Sequence, residues 1–407
     1  MSERTMVPMN SLIKSISMGP FGSDVKVEYM GNVGVPIIDG SNLTSIKMNM
    51  NSYRFLDKDR VKKLDAALAH KGDIVVTHRG TLGQLSYVPE DCLFDEVLIS
   101  QSQFRVTLDT SQVNPIYFAY YFHTTEGQKR LLSFANYVGV PALACATTNF
   151  RKLLFPLIPL EEQNRIATLL EELDLSITNN NIIISELESI AKDIYDYWFV
   201  QFDFPDENGK PYKLSGGKMV WNEELKREIP EGWTSVRLNT VLGKYPKTGS
   251  ILREDYTRGT RFPIVDQSRD YICGYTNETN KVLFMNDAIV FGDHTNYAKY
   301  VNFPFARGAD GTQIINSNND CLPNHLLYQQ IINLPVIEEG YSRHFKFLKE
   351  QLIIVPQKEI ANNYEKTILP FMTMKLNCLK QNRELSSLRD WLLPMLMNGQ
   401  VKVGGAV

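Results

Sequence analysis

The sequence lacks any apolar run of the roughly 18 residues that a membrane-spanning helix needs. Its first residues, MSERTMVPMNSLIKSIS, also lack the apolar core of a secretory signal peptide, so we expect a cytoplasmic protein. Cysteine is scarce, and its five copies form no C-x-x-C pair and no metal-ligand spacing with a histidine. Such scattered cysteines are typical of reduced core residues rather than of metal ligands or disulfides. They are Cys92, Cys145, Cys273, Cys321 and Cys378.

A strong charge of one sign is also missing, because the formal net charge is only -3 over 407 residues. The charge of the whole chain therefore gives no indication of a nucleic-acid partner. A basic cleft on a neutral protein would still bind nucleic acid. The sequence contains no Walker motif, no H-E-x-x-H and no G-x-S-x-G. We therefore predict a non-catalytic chain, and its length predicts two or three domains.

A structural repeat is present, and each copy ends in a long heptad-patterned segment. Eight residues separate Phe150 from Pro159, and eight separate Phe347 from Pro356, just before these segments. Steps of four and three along each segment reach mostly apolar positions, which predicts two helices of about 40 residues and about 60 Å, each needing a partner helix. The two series are Ile166, Leu170, Leu173, Ile177, Asn180, Ile184, Leu187, Ala191, Ile194 and Trp198, and Ile360, Tyr364, Thr367, Phe371, Met374, Cys378, Gln381, Leu385, Leu388, Leu392 and Met395.

Two residues interrupt these segments. Asn180 occupies an apolar seam position, either as an ordinary polar interruption or as a residue that fixes the register of two helices. Pro370 lies inside the second segment, where a proline removes a backbone hydrogen bond. We therefore expect a bend or a break near Leu369.

The stretch before each long segment is repeated as well, which predicts an α+β fold in which each half is a mixed α/β globule followed by one long helix. The matching segments are Pro36–Asp39 with Pro263–Asp266, Asp73–Val76 with Asp287–Val290, and the helices beginning at Pro115 and Pro323. The predicted boundaries are 1–157 for the first globule, 158–200 for the first long helix, 201–231 for a connector rich in Gly, Pro and charge, 232–355 for the second globule, 356–398 for the second long helix and 399–407 for a tail.

Two motifs suggest catalysis without a matching context. Asn114-Pro-Ile-Tyr117 approaches the Asn-Pro-Pro-Tyr signature of amino-methyltransferases, but the second proline is missing and a helix N-terminus explains it better. Asp206, Glu224 and Lys226 fit the loose acidic pattern of metal-dependent nucleases, yet they lie in the connector rather than on adjacent core strands.

His294 follows Asp293 and lies near Asp287 in sequence, which is compatible with acid–base work. No nucleophile stands in a matching position, so a polar turn or a binding contact is the favoured interpretation.

Both globules carry polar side chains at strand ends and turns. Side chains of these types bind base edges and phosphates, although such turns are more often simply solvated loops. Their presence in both copies favours DNA binding. The candidates are Thr77, His78, Arg79, Thr81 and Gln84 in the first half, and Lys247, Thr248, Ser250, Tyr275, Thr276, Asn277, His294, Thr295, Asn296 and Lys299 in the second.

With these residues assembled, the chain resembles the specificity subunit of type I restriction-modification systems. Glu161-Glu-Gln163, at the start of the first long segment, is the most specific part, and the second segment departs from it with Gln357-Lys-Glu359. Pro370 is a further departure. The remaining segments that carry the resemblance are Gly19–Ser23 with Gly34–Gly40, Gly72–Gly80 with Gly83, Leu157–Ile166, Ile194–Pro205 with Ser215–Gly217 and Ile229–Trp233, and Gly274–Glu278.

The resemblance implies two target recognition domains, each binding one half of a bipartite DNA site, with an internal pseudo-twofold repeat. The long helices would form an antiparallel coiled-coil spacer that sets the gap between the half-sites. Two methyltransferase (modification) subunits would dock there and bring S-adenosylmethionine, and restriction subunits would bring ATP and Mg, so this chain would hold no cofactor itself. Two alternatives stay open: a stand-alone metal-dependent nuclease, and a two-domain scaffold without DNA contact.

Overall fold

The strand at Ile74–Thr77 is buried on both faces, because its side chains alternate between two apolar cores. Ile74 and Val76 pack in one core and Val75 packs in the other. The computed structural model describes residues 4–257, 261–308, 311–335 and 343–404. It divides into two compact units. The first unit holds the described residues up to Leu175 and from Leu388 onward, and the second holds those of Ser176–Ser387.

The strands of the first unit form a five-stranded sheet, a four-stranded sheet and two short pairs. Their orders are β3-β5-β4-β9-β6, β2-β10-β7-β8, β1-β13 and β11-β12. The strands are β1 Thr5–Pro8, β2 Ile13–Met18, β3 Met30–Gly31, β4 Val35–Ile38, β5 Arg54–Leu56, β6 Leu68–His70, β7 Ile74–Thr77, β8 Leu85–Tyr87, β9 Glu96–Ile99, β10 Gln103–Leu108, β11 Ala135–Asn136, β12 Ala142–Leu143 and β13 Leu154–Leu157.

The strands of the second unit form the sheets β18-β17-β22-β19 and β21-β20-β23 and the pairs β14-β15 and β16-β24. These strands are β14 Met219–Asn222, β15 Arg227–Pro230, β16 Thr234–Arg237, β17 Phe262–Val265, β18 Gly274–Thr276, β19 Val282–Leu283, β20 Ala288–Gly292, β21 Ala298–Val301, β22 Phe305–Arg307, β23 Thr312–Ile315 and β24 Leu352–Val355. The helices of the chain are α1 Lys58–Val61, α2 Pro115–Phe122, α3 Thr125–Leu131, α4 Ala146–Lys152, α5 Leu160–Tyr195, α6 Asn324–Asn333, α7 His344–Leu348 and α8 Lys358–Met397. None of the helices in the described ranges is both long and apolar enough to cross a bilayer.

The predicted repeat is confirmed in the strand pairing, because each unit contains the same three arrangements. β4 pairs parallel with β9, and β17 pairs parallel with β22. β7 is antiparallel to β8 and β10, and β20 is antiparallel to β21 and β23. The strand that leads into each long helix, β13 or β24, is antiparallel to β1 or β16. The predicted α+β class is therefore confirmed, with one α/β globule before each long helix.

The helix predicted to begin at Pro115 is present as α2, and a second helix, α3, follows it directly. Asn114 caps α2, since its Oδ1 accepts hydrogen bonds from the N–H groups of Ile116 and Tyr117 at 2.8 and 3.1 Å. This confirms a helix N-terminus in place of a methyltransferase motif. Thr124 separates α2 from α3 by capping α3 through a bond from Gly127 N–H at 3.0 Å.

The two long helices run antiparallel. Within the second unit, Asn181 of α5 bonds to Asn382 of α8 and Glu188 pairs with Lys375, so the numbers rise along one helix as they fall along the other. Every seam position predicted on α5 is buried or half-buried. The corresponding prediction for α8 is wrong in part, because several of its positions are exposed and the buried face begins one residue later. The exposed positions are Thr367, Met374, Gln381 and Leu388, and the buried face follows Ala361, Tyr364, Ile368, Met372 and Lys375.

Of the bend or break expected near Leu369, the break is wrong, because α8 continues through Pro370 from Lys358 to Met397. Pro370 is exposed, while Ile368 before it and Met372 after it are buried in the same apolar core. A proline in a helix interior costs about 3 kcal/mol, because it removes a backbone hydrogen bond and its ring clashes with a carbonyl of the preceding turn. Packing of the two flanking side chains offsets that cost here, as tertiary contacts commonly do for local propensity.

Gln163, the last residue of the Glu-Glu-Gln motif, ties the start of α5 to the turn before α2. Its Oε1 accepts a hydrogen bond from Asn114 N–H at 2.9 Å. Its Nε2 donates to the carbonyl oxygens of Gln112 at 3.0 Å and Ile158 at 2.8 Å. The side chain is fully buried, so the motif requires an amide here that both donates and accepts.

Replacing Gln163 with Leu is expected to lower the free energy of unfolding of the first unit by about 2–4 kcal/mol, because the Asn114 N–H and the carbonyl oxygens of Gln112 and Ile158 lose the buried amide that they bind. Urea unfolding, monitored by circular dichroism, measures this change in the free energy of unfolding. Gln357→Leu is the matched control, since Gln357 is exposed near the start of α8 and makes only a 3.5 Å contact with Glu231 O. Equal stability of the two variants would show that the Gln163 network contributes nothing.

Candidate nucleic-acid interface

Thr77 and Gln84 close the turn between β7 and β8 from the inside. Thr77 is buried, and its hydroxyl donates to Gln84 Oε1 at 3.1 Å. Gln84 Nε2 in turn donates to the carbonyl of Gly40, just beyond β4, at 2.9 Å. These two predicted DNA contacts therefore hold the turn against the neighbouring strand instead of pointing away from it.

The outer part of the same turn presents His78, Arg79 and Thr81. Arg79 and Thr81 are exposed, and no ion pair among the described residues engages the Arg79 guanidinium. His78 is half-buried with Nε2 3.1 Å from Gln101 O, and this burial lowers its pKa below the usual value. The imidazole is therefore neutral near pH 7. Gly80 has a φ of 92°, a conformation that favours glycine and lets the turn reverse sharply.

A hairpin made of β11 and β12 is joined to this turn, and sequence reasoning missed it. Gly80 N–H donates to Pro141 O at 2.9 Å, and Leu143 N–H donates to His78 O at 2.8 Å. The tip of the hairpin is apolar and open: Tyr137 is 65% exposed and Val138 is 86% exposed. The only signal in the sequence was the Gly139 turn inside an apolar run, which equally fits a buried strand.

The turn between β20 and β21 in the second unit corresponds to the β7–β8 turn. His294 and Thr295 are exposed on it, and Asn296 reverses the chain with a φ of 54°. The backbone of the turn is fixed by Gln267, which accepts from His294 N–H at 3.2 Å through Oε1 and from the Thr295 hydroxyl at 2.7 Å through its carbonyl. This turn therefore offers a rigid, outward-facing set of polar side chains.

Lys299 requires a correction, because the structure places it in the interior. Its side chain is 2% exposed, and its ammonium donates to the carbonyl of Asp266 at 2.8 Å and lies 3.9 Å from the carboxylate of the same residue. Burial lowers the pKa of Lys299, although the Asp266 carboxylate acts in the opposite direction. Lys299 links β21 to the end of β17 much as Gln84 links the corresponding strands of the first unit, so neither side chain is free to contact DNA.

Three further candidates of the second unit lie in or directly after β18, which belongs to a different sheet from β20 and β21: Tyr275, Thr276 and Asn277. Thr276 is buried and accepts a hydrogen bond from Glu278 N–H at 3.1 Å, so it also has a structural role. Asn277 is exposed, and the Tyr275 ring lies 4.8 Å from the guanidinium carbon of Arg383. Lys247 is exposed, while Thr248 and Ser250 are half-buried. The structure thus divides these candidates into two groups.

The connector residues that suggested a metal-dependent nuclease bind other groups of the protein. Asp206 Oδ1 accepts bonds from the N–H groups of Asn208 and Lys210, both at 2.8 Å, which closes a tight loop. Glu224 accepts from Ser235 at 2.6 Å, and the Lys226 ammonium pairs with Glu223 at 3.1 Å.

The carboxylates that lie near His294 in sequence also have other partners. Asp293 accepts from Phe345 N–H at 2.9 Å, and Asp287 accepts from the Tyr300 hydroxyl at 2.8 Å. Within the described residues, no three His, Cys, Asp or Glu side chains are grouped as a metal site.

Comparison with known proteins connects this arrangement to one family. Residues 25–189 match the family model of the type I restriction modification DNA specificity domain. The type I restriction enzyme MjaIX specificity subunit of Methanocaldococcus jannaschii is 26% identical over 401 residues, covering 92% of this chain and 88% of the relative. The type I restriction enzyme HindI specificity subunit of Haemophilus influenzae is 22% identical over 59% of this chain and 67% of its own length.

A solved structure has the same fold. The S subunit of the type I restriction-modification system from M. genitalium aligns over 100% of this chain and 97% of its own, with a TM-score of 0.58 and 16% sequence identity.

Proposed function

We propose that this chain determines which DNA sequence a type I complex modifies. The match of residues 25–189 to the type I restriction modification DNA specificity domain supports the proposal. The observation that carries the proposal is the repetition of one strand arrangement in two units, each with a polar turn between paired antiparallel strands. A protein with two similar DNA-binding units binds two separate half-sites. Because the side chains on the two turns differ, the DNA sequence that they recognise is asymmetric.

In the first half-site, the proposed contacts come from Arg79, Thr81 and the half-buried His78. Arg79 is the strongest candidate for a base contact, because guanidinium groups bind guanine in two-point geometry in the major groove. Thr81 suits a phosphate oxygen. The hairpin tip at Tyr137–Val140 adjoins this group and would meet the same stretch of DNA.

In the second half-site, the proposed contacts are the exposed His294 and Thr295 and the half-buried Asn296. A second group consists of Tyr275 and Asn277 at β18, and the exposed Lys247 is a further candidate. Asn side chains pair with adenine in the major groove, and Lys supplies phosphate contacts. Lys299, Thr276, Thr77 and Gln84 are not proposed as contacts, because their polar atoms are engaged inside the protein.

The long helices α5 and α8 would act as the spacer between the half-sites and as the docking surface for two modification subunits. Both helices expose large apolar side chains, and covering these side chains with a partner protein is energetically favourable. They include Leu175, Ile182, Ile190, Leu369, Leu388 and Trp391. S-adenosylmethionine would enter with the modification subunits, and ATP and Mg with restriction subunits, in the cytoplasm.

Methylome sequencing of cells that express this chain with its modification subunits tests the proposal. The expected result is adenine N6-methylation at one bipartite, asymmetric sequence that disappears when this chain is omitted. A gel-shift of the same complex at a low and a high salt concentration tests for a scaffold without DNA contact. DNA binding that weakens steeply as salt rises would exclude such a scaffold, since contacts to phosphates depend on salt in this way.

The competing nuclease hypothesis predicts a different outcome. The purified chain with Mg²⁺ and no partner would then cut DNA, and Asp206→Asn would abolish the cutting. We expect no cleavage, because Asp206, Glu224 and Lys226 each bind other groups of the protein. Partner-free cleavage that Asp206→Asn abolishes would overturn the proposed function.

A further inference from the structure

Among the polar contacts that join α5 to α8, three levels are spaced seven residues apart along each helix. In the first unit, a carboxylate and a guanidinium meet at 2.6 Å. In the second unit, a carboxylate and an ammonium meet at 2.7 Å, and two asparagines share a hydrogen bond of 2.8 Å. The α5 triplet is Asp174, Asn181 and Glu188, and the α8 triplet that faces it in reverse order is Arg389, Asn382 and Lys375.

The charges are distributed unequally between the helices. Both ends of the α5 triplet are acidic, and both ends of the α8 triplet are basic, with asparagine at the centre of each. When α5 faces α8, every charged level is therefore an acid–base pair. A coiled-coil seam that is otherwise apolar takes its partner preference from such flanking charges.

Self-pairing of either helix gives the opposite result. If two copies of α5 ran antiparallel about Asn181, Asp174 of one copy would face Glu188 of the other at both ends. If two copies of α8 ran antiparallel about Asn382, Lys375 would face Arg389. Both arrangements place like charges against each other, which is destabilising at helix contacts.

The basic side chain of one charged level is largely enclosed. The Lys375 side chain is only 10% exposed, and its ammonium lies 4.3 Å from the centre of the Tyr271 ring. Removing its carboxylate partner leaves a poorly solvated cation, which is costly. Asn382 donates to Asn181 and accepts from Asn180 at 2.9 Å, so the central amide is satisfied in both directions.

We propose that these two triplets are a pairing code, which directs α5 to α8 and disfavours association of either helix with its own counterpart in a second copy of the chain. The apolar seam alone does not make this distinction, because apolar contacts carry no sign. The proposal does not depend on the DNA function. It assigns Asn180 to the register-fixing interpretation, together with its neighbour Asn181.

Reversing one charged level tests the code. The variant Asp174→Arg with Arg389→Asp keeps acid–base pairing between α5 and α8, but it also makes α5–α5 and α8–α8 pairing complementary. After refolding of the full chain from urea at tens of micromolar, sedimentation velocity should show a dimer fraction about five times that of the unchanged chain or more. Glu188→Lys with Lys375→Glu makes the same change at the other level and should behave alike.

The chain with all four substitutions is the matched control. It carries twice as many changes, yet both ends of α5 are then basic and both ends of α8 acidic, so self-pairing is again like-charged. Its dimer fraction should return to that of the unchanged chain. A dimer fraction that rises steadily with the number of substitutions, or that stays constant in all variants, would overturn the pairing code.

Discussion

Seven residues inserted into both long helices are expected to widen the gap in the recognised DNA sequence by about three base pairs. Seven helical residues add about 10.5 Å, and one base pair rises 3.4 Å. The insertions belong between Asn181 and Glu188 in α5 and between Lys375 and Asn382 in α8, because each polar pair then keeps its partner. Methylome sequencing should show loss of the original site and methylation of the same half-sites at the longer gap.

The length of the insertion matters because the polar levels repeat every seven residues. A four-residue insertion in both helices adds about 6 Å, nearly two base pairs, but it disturbs the heptad phase and rotates the ends further. We expect lower methylation from that variant. Seven residues in α5 alone is the control, since it separates Glu188 from Lys375 and should abolish methylation. A gap that stays constant after paired insertion would contradict the role of the helices as a spacer.

Arg79→Ala is expected to reduce methylation by about five- to 150-fold, corresponding to about 1–3 kcal/mol for one lost two-point base contact. The effect should relax the preference at one position of one half-site and leave the other half-site unchanged, because the equivalent turn at His294–Asn296 belongs to the other unit. Methylation of a library with each half-site randomised measures both.

Arg79→Lys is the control that separates a base contact from a phosphate contact. Lysine keeps the charge but lacks the planar fork of the guanidinium, so it restores phosphate binding and does not restore two-point base recognition. Full activity of Arg79→Lys, or an equal loss over all sequences in Arg79→Ala, would identify Arg79 as a phosphate contact instead.

The structural positions of some residues could be predicted from the local sequence, because the apolar pattern of the neighbouring residues decides them. Ile74, Val75 and Val76 form a strand buried on both faces, which a short apolar run between turn residues predicts. The α5 seam is similar, since a regular apolar spacing fixes which face of a helix is covered. The repeat of strand pairing followed from matching segments that occur in the same order in both halves.

The candidate DNA contacts could not be assigned in this way. Residue type does not reveal whether a polar side chain at a strand end faces solvent or a carbonyl of a neighbouring strand. Lys299 and Gln84 were both expected at the surface, and both bind backbone oxygens beyond the end of another strand. A buried donor needs an acceptor, and only the packing of the sheet supplies one.

The sequence by itself determined the two repeated α/β globules and the two long helices, because apolar periodicity and turn residues act over short distances. Tertiary structure alone decided that α8 runs through Pro370, that a hairpin adjoins Arg79, and that acids on α5 meet bases on α8. Each of these depends on residues from distant parts of the chain, whose mutual distances no local pattern contains.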